Sequence, residues 1–381
     1  MTTTLAGPYG SQLLGDFGAD VIKIESPQGD AIRNAGPRRN EGMASTFMGC
    51  NRNKRSVVLN LKKEEGKTAL WKLIDSAQVF LHAIRPQKIT KLGFEAAAVM
   101  SRKPGIVYAA LHGYHEEGPY AGRPAYDDVI QGEAAITGTF MARDGKPAMV
   151  PSSFVDKNTG LITANGVLAA IIQNLRTGTG VYLEIGMFEG IVAYNLVEHL
   201  YGRMFIPEKG QAGYARVVSP HRRPHPTLDG HICMLPYTDK QWRKFWDIAG
   251  RRELANDQRF IDMQARSMNI DDLYATVAES LKSKKTSDWL VLLSEADIPA
   301  GPANSLDDLF EDPHLRAIGF FREHEHPSEG SLIIPDTPYR LNGESLPLRQ
   351  PVPRLGQHTH DVLAELGYTD LEINAVIEAN S

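Results

Sequence analysis

Cysteine is nearly absent. Cys50 and Cys233 are the two in 381 residues, they stand far apart and they match no metal-ligand spacing, so neither a disulfide framework nor a zinc site is indicated and buried thiols are the expectation. Long hydrophobic runs are lacking as well. Nothing approaches the roughly 20 apolar residues that a helix needs to cross a bilayer, and Met1 to Tyr9 lacks the basic-then-apolar layout of a signal peptide. Charge of one sign is not in excess either: 41 basic and 46 acidic residues leave a net charge of −5, which gives no global attraction to nucleic acid or anionic lipid. The expectation is a cytoplasmic protein with no nucleic-acid or membrane partner, in which any anion site is local. No HExxH pattern occurs, and the cluster His324, Glu325, His326 runs into a proline, which reads as a solvated turn, not a metal site.

What is present is a globular balance, with 42% hydrophobic and 23% charged residues. The length calls for two domains, or one with a large insertion. Helix-like and strand-like patterns alternate along the first half: Ser11 to Phe17 then Val21 to Ile24, Lys67 to Ser76 then Val79 to Leu81, then Ile106 to Leu111. That rhythm implies a parallel sheet with helices on its faces. A long apolar helix from Leu161 to Leu175 and an alternating strand, Val181 to Ile185, follow. The segment Arg216 to Asp229, rich in proline, basic residues and histidine, breaks the rhythm and suggests a domain crossing. Beyond it His231 to Leu235 reads as a strand, Asp239 opens an amphipathic helix carrying Trp242, Phe245 and Trp246, Ile298 to Asn304 turns the chain back, and His358 to Leu366 reads as a last helix.

Three local features can carry chemistry. The strand Val21 to Glu25 ends in a turn with Gly29, Asp30 and Arg33, and open α/β sheets place ligands outside the carboxyl ends of their strands. Arg33 is therefore a candidate phosphate partner, the alternative being a solvated arginine. Arg52, Lys54, Arg55 and Lys62 flank the strand Ser56 to Leu61 and can grip a diphosphate, the alternative being a solvated charged face. Asp156 precedes the long helix, where an aspartate is a favoured cap; the same free N–H groups that stabilise the cap can stabilise an oxyanion if the carboxylate attacks an acyl carbonyl.

The strings L-A-G-P-Y (Leu5 to Tyr9), G-D-F-G-A-D-V-I-K-I-E (Gly15 to Glu25), G-D-x-x-R (Gly29 to Arg33), N-R-N-K-R-S-V (Asn51 to Val57) and G-P-Y-A-G-R-P-A-Y-D-D-V-I-Q (Gly118 to Gln131) together resemble the class III coenzyme A transferases, a family that includes formyl-CoA and carnitine CoA-transferases with the α-methylacyl-CoA racemases as close relatives. The resemblance runs on through R-T-G-T-G from Arg176, T-x-D-G from Thr227, I-P-A-G-P from Ile298 and L-G-x-H-T from Leu355, and so spans nearly the whole chain.

The resemblance implies an α/β fold: a large Rossmann-like domain from residues 1–205 and 306–381, a smaller α+β domain over 206–305, and an interlocked homodimer. It implies Asp156 as nucleophile, coenzyme A contacts at Leu5, Ala6, Arg33, Leu59, Lys62 and Lys91, acyl-CoA and a carboxylic acid as partners, and no metal or redox cofactor. Transfer would pass through an aspartyl anhydride and an aspartyl-CoA thioester. The chain departs from the family in four places. Ala83 and Ile84 precede Arg85 where the family often has an asparagine; Pro220 to Pro226 stands where formyl-CoA transferase has a glycine-rich lid; only Met1 to Thr4 precede the L-A-G-P segment, which leaves the sheet one central strand short; and Tyr126 occupies the place of the racemases' histidine base. A tyrosine is a poor α-proton base near neutral pH, which favours transferase over racemase, and Asp239, near the racemases' acidic partner, reads as a helix cap. A CoA-thioester racemase or isomerase and a catalytically idle CoA-binding protein stay open as alternatives. Tyr126, Arg222 and Arg223 are candidates for the acyl pocket, the two arginines suiting a dicarboxylic, succinyl-type acid unless they face solvent or a partner chain.

Overall fold

Five short strands between Val21 and Gly186 all pair in parallel in the computed structural model of the chain, which describes residues 1–380. They belong to a first unit made of residues 1–134, 150–194 and 319–381. Its elements run α1 (Ala6–Asp16), β1 (Val21–Glu25), α2 (Ser45–Met48), β2 (Lys54–Val58), α3 (Glu64–Ser76), β3 (Val79–His82), α4 (Pro86–Leu92), α5 (Ala96–Arg102), β4 (Val107–His112) and α6 (Asp127–Glu133). The chain then enters α7 (Ile136–Asp144), which belongs to the second unit, and returns for α8 (Phe154–Thr177), β5 (Val181–Gly186) and the start of α9 (Met187–His199).

The strands form two sheets, not one. β1 pairs with β2 (Val21↔Lys54), while β3, β4 and β5 lie in that order (Val79↔Val107↔Val181). Beside β3 lies Met1, whose nitrogen donates to Leu81 O at 2.7 Å while its carbonyl accepts from Ala83 N at 3.1 Å. β4 is buried along its whole length, as a strand covered on both faces must be, and its apolar run VYAAL follows from that. One core packs Val57, Leu70, Ile74, Phe94 and Tyr108 with Leu363 and Ile373 of the last two helices, which span Thr359–Glu365 and Asp370–Ala379. The expected helix from His358 to Leu366 is the first of these, and the second was not foreseen.

The basic run after Asn51 does not form a free cationic face. Arg52 pairs with Asp16 at 2.7 Å, Arg55 with Asp20 and Glu365, and Lys54 is buried with its ammonium donating to Pro8 O, Cys50 O and Asn51 Oδ1 at 2.7–2.9 Å. Burial, the largest effect, drives the Lys54 pKa well below the usual lysine range, with the Lys23 charge adding to it. Three of the four cations proposed for a diphosphate are committed to partners in the protein, Arg55 at the surface, and Lys62 is exposed. The His324–His326 segment is also not a turn. It ends the first strand of a hairpin, Phe321–His326, and His326 is buried with Nε2 against Val352 O at 2.8 Å.

The second unit comprises residues 135–149 and 195–318, so its limits differ from the expected 206–305, and α7 joins it across a break in sequence. Its sheet is antiparallel, order β6 (His225–Pro226), β7 (His231–Met234), β8 (Ala300–Pro302); the proline-rich segment 216–229 therefore runs within the unit, not between domains. Trp242, Phe245 and Trp246 of α10 (Asp239–Ile248) pack on Trp289 and Ile232. Asp239 does not cap α10: Thr238 does, in a capping box with Gln241, and Asp239 pairs with Arg266. Back in the first unit, β9 (Phe321–His326) and β10 (Gly330–Pro335) form an antiparallel hairpin.

Candidate active site

Helix α8 begins seven residues before the apolar stretch that marks it in the sequence, and Gly160 lies inside it as a close-packing glycine. A Cβ on Gly160 would meet Tyr9 Cδ1 at 2.8 Å and Ala6 O at 2.9 Å, and one on Gly10 would meet Gly160 O at 2.8 Å. The two backbones touch, which sets the second turn of α8 against the N-terminal part of α1. Ser153 takes the cap position without a side-chain bond, and Asp156 lies in the first helical turn, so the expected capping role of Asp156 is replaced by a first-turn one. There the helix dipole still favours its charged form.

The half-buried Asp156 is anchored from its backbone. Its N–H donates to Asp127 Oδ1 at 3.0 Å. Asp127, buried at the start of α6, is held in turn by Gln131 Nε2 at 2.7 Å, and Gln131 Oε1 accepts from Val150 N at 2.9 Å. No donor among the described residues bonds the Asp156 carboxylate. Burial first, then the charges of Asp127 and Asp128, push its pKa up to about 6. The consequence is a carboxylate that is ionised at neutral pH yet poorly solvated, the state in which an oxygen nucleophile is most reactive. Cys50, buried and bonded to Thr46 O, is close enough for the Asp156 charge to contribute to its raised pKa, after burial.

The coenzyme A candidates divide. Ala6 is buried and Leu5 half-buried at the start of α1, next to the second turn of α8. Leu59 and Lys62 line a cavity of about 350 Å³ together with Pro27, Gly29, Ile84 and Leu92, at the carboxyl ends of β1, β2 and β3. Gly29 is required there: its φ of +72° closes the turn after β1 and its N–H donates to Ser26 O at 2.8 Å. Lys91 is exposed in the last turn of α4, one residue from Leu92. Ile84 gives the cavity an apolar wall where an asparagine was noted as absent.

Arg33 is elsewhere. It is 2% exposed, forms a two-pronged pair with Glu25 (2.8 and 2.7 Å), donates to Gly42 O and Pro353 O at 3.2 Å, and stacks on Phe47 at 3.8 Å. As placed, it is neither a solvated arginine nor free to grip a phosphate; it shapes the turn from within. Its pair with Glu25 helps to hold that carboxyl below the usual range against the opposing effect of burial.

Tyr126 is 68% exposed and sits at the cap of α6, one residue before Asp127. Arg222 and Arg223 lie in the second unit and line a cavity of about 520 Å³ with His225, Met234, Tyr274 and Pro299. Arg223 is partly committed, to Asp144 at 3.1 Å and to Pro220 O at 2.6 Å. The residues missed in the sequence are Asp127 and Gln131. They lie within the quoted P-A-Y-D-D-V-I-Q string, and their four-residue spacing on a helix is the signal that pairs them.

A sequence model described as CoA-transferase family III matches residues 1–359. A probable fatty acyl-CoA transferase of Mycobacterium tuberculosis is 32% identical, the match covering 95% of each chain. The succinate–glutarate CoA-transferase of Agrobacterium fabrum is 30% identical over 96% of this chain and 93% of its own. Among solved structures, a CAIB/BAIF family protein from Brucella suis superposes with a TM-score of 0.79 at 31% identity, over 96% of this chain and 97% of that one.

Proposed function

The chain belongs to CoA-transferase family III, and from that premise we propose that it moves coenzyme A from an acyl-CoA donor to a carboxylic acid through covalent intermediates on Asp156. One observation carries the reading: a carboxylate fixed by its backbone, free of hydrogen-bond donors among the described residues and held near pKa 6 in the first turn of α8. An Asp156 oxygen attacks the thioester carbonyl and expels the CoA thiolate, leaving an anhydride. The thiolate attacks the aspartyl carbonyl of that anhydride and releases the donor acid, giving an aspartyl-CoA thioester. The acceptor carboxylate attacks the same carbonyl and expels the thiolate again; the thiolate then takes the acceptor's acyl carbon and frees Asp156. Each step is an acyl transfer, so no oxidant, reductant or metal enters the balance.

The cavity at Leu59 and Lys62, at the strand ends, is the site we assign to coenzyme A, with Lys62 as the phosphate contact and Arg33 holding the turn that walls it. Exposed Leu161, Ile172 and Leu175 along α8 support a homodimer that covers them. The cationic rim of the Arg222–Arg223 cavity supports a dicarboxylic acyl group, as the name of the Agrobacterium relative does for its own substrates.

Asp156→Ala tests the assignment. Transfer should fall at least about a hundredfold while CoA binding persists, and hydroxylamine should trap an aspartyl thioester at this position in the wild type; retention of more than about a hundredth of the activity ends the proposal. A second reading rests on the same pKa, because a carboxylate near 6 also suits a general base and would serve a CoA-thioester racemase. Exchange of the substrate α-proton with deuterium from solvent, without any acceptor acid, would establish racemisation in place of transfer.

A further inference from the structure

Three ligand-type side chains that the transfer chemistry does not use meet at the carboxyl ends of β4 and β5. The parallel register sets His112 opposite Gly186 and Ala110 opposite Glu184, and because side chains alternate between faces, His112 and Glu184 share one face diagonally. Gly186, across from the imidazole, has no room for a side chain: a Cβ there would collide with the Glu189 carboxylate and meet His115 Cδ2 at 2.7 Å. Glu116 returns in the turn after β4, and its backbone N–H donates to Glu184 Oε1 at 2.6 Å, which fixes that oxygen. His112 Nδ1 lies 3.2 Å from Glu116 Oε1 and 3.9 Å from Glu184 Oε1, and one donor atom from each of the three residues falls within 4.8 Å of the others.

The second observation concerns the imidazole. His112 is 7% exposed, and among the described residues neither of its ring nitrogens has a hydrogen-bond partner. The 3.2 Å approach to Glu116 lacks the alignment of a bond. A buried polar group left unmade costs about 1–3 kcal/mol, and native folds rarely leave one so. A ligand between the nitrogen and the two carboxylates removes that cost and the repulsion between the acids together.

We propose that His112, Glu116 and Glu184 bind one divalent cation of the borderline class, Mn²⁺ or Zn²⁺. One imidazole nitrogen with two carboxylate oxygens suits these ions better than the all-oxygen preference of Mg²⁺ or Ca²⁺ and better than the sulfur preference of Cu⁺. Around a cation with bonds of about 2.1 Å, neighbouring ligands stand about 3.0–3.4 Å apart; the His112–Glu116 separation of 3.2 Å already fits, and Glu184 needs a small rotation. The ion ties the end of β4, β5 and the turn leading to Tyr126 and Asp127 into one rigid corner. Its role is positional, and the acyl-transfer steps proceed without it.

The test uses the full chain, stripped with a chelator and dialysed to equilibrium against Mn²⁺ and, separately, Zn²⁺. One equivalent per chain is expected for at least one of the two, and Glu116→Gln, at an exposed side chain that the fold does not need, should weaken it about tenfold or more. Glu116→Gln combined with Glu184→Gln should abolish it. Bound Mn²⁺ should carry an imidazole nitrogen signature in its electron spin-echo spectrum. The proposal is overturned if neither cation binds at millimolar concentration, if binding is unchanged in both variants, or if bound Mn²⁺ shows no nitrogen coupling.

Discussion

Asp156 works against its surroundings, and that tension has two measurable signs. With a folded-state pKa of about 6 against an ordinary 3.8, turnover should rise with pH through about 6 and level off above it, as the nucleophile ionises; a rate profile flat from pH 5 to 8 would remove Asp156 from the rate-limiting chemistry. Stability moves the other way. Between about pH 4 and 6 the folded chain holds a proton that the unfolded chain has released, so stability falls as pH rises through that window, and the whole penalty stands above it. Asp156→Asn lacks the penalty and should be more stable than the wild type at pH 8 by about 1 kcal/mol, after solvent screening of a half-buried group is allowed for, with the gap closing near pH 4. Paired melting curves decide it. Lys62→Ala should raise the Michaelis constant for acyl-CoA more than it lowers turnover, and added salt should shrink the difference. At this scale the sequence was legible where chain position decides, as in the placing of Asp156 at the start of the long helix, and not where burial decides. Nothing local says that Arg33 turns inward; its partner Glu25 lies eight residues back at the end of a strand, and that pairing becomes visible only once the strand and turn are folded.

Helices α1 and α8 meet through glycine. The absence of two side chains lets the L-A-G-P segment and the start of α8 pack backbone to backbone. Gly160→Val should therefore cost about 1–3 kcal/mol from overpacking and reduce turnover through displacement of the first turn of α8, whereas Ala169→Val, later in the same helix, provides the control for a β-branched residue alone. Circular dichroism melts with single-turnover rates measure both. The alternating helix and strand periods made the parallel order of β1 to β5 readable, because buried strands must be apolar. The start of α8 was hidden because its first seven residues, Phe154 to Gly160, carry polar residues and a glycine ahead of the apolar stretch. The strand β8 was hidden by its length of three residues, and the split of β1–β2 from β3–β5 depends on pairings that no periodicity encodes.

Leu161, Ile172 and Leu175 of α8 are exposed, and the proposed homodimer would cover them. Sedimentation should give a dimer, and Ile172→Asp with Leu175→Asp should shift it toward monomer without lowering the melting cooperativity of the isolated chain. Length alone pointed to more than one unit; the pattern break at 216–229 lies inside the second, and α7 was expected in the first because fifteen residues, 135–149, leave and rejoin without a compositional mark. The first unit is consequently written in three instalments, and its last one closes bonds left open by the first. Ser56 N reaches His358 Nδ1 at 3.2 Å, Val58 N reaches Thr359 Oγ1 at 3.0 Å, and Asn53 Oδ1 accepts from Arg349 N and Gln350 N at 2.8 and 3.0 Å. On a ribosome adding roughly 5–20 residues per second, β2 waits about 15 to 60 s for those partners, since 302 positions separate Ser56 from His358. Throughout that interval the second unit can fold on its own tryptophan core while the nascent β1–β2 edge stays open to chaperones or to neighbouring chains. A stop codon after residue 318 would make the wait permanent, and its product should accumulate in inclusion bodies.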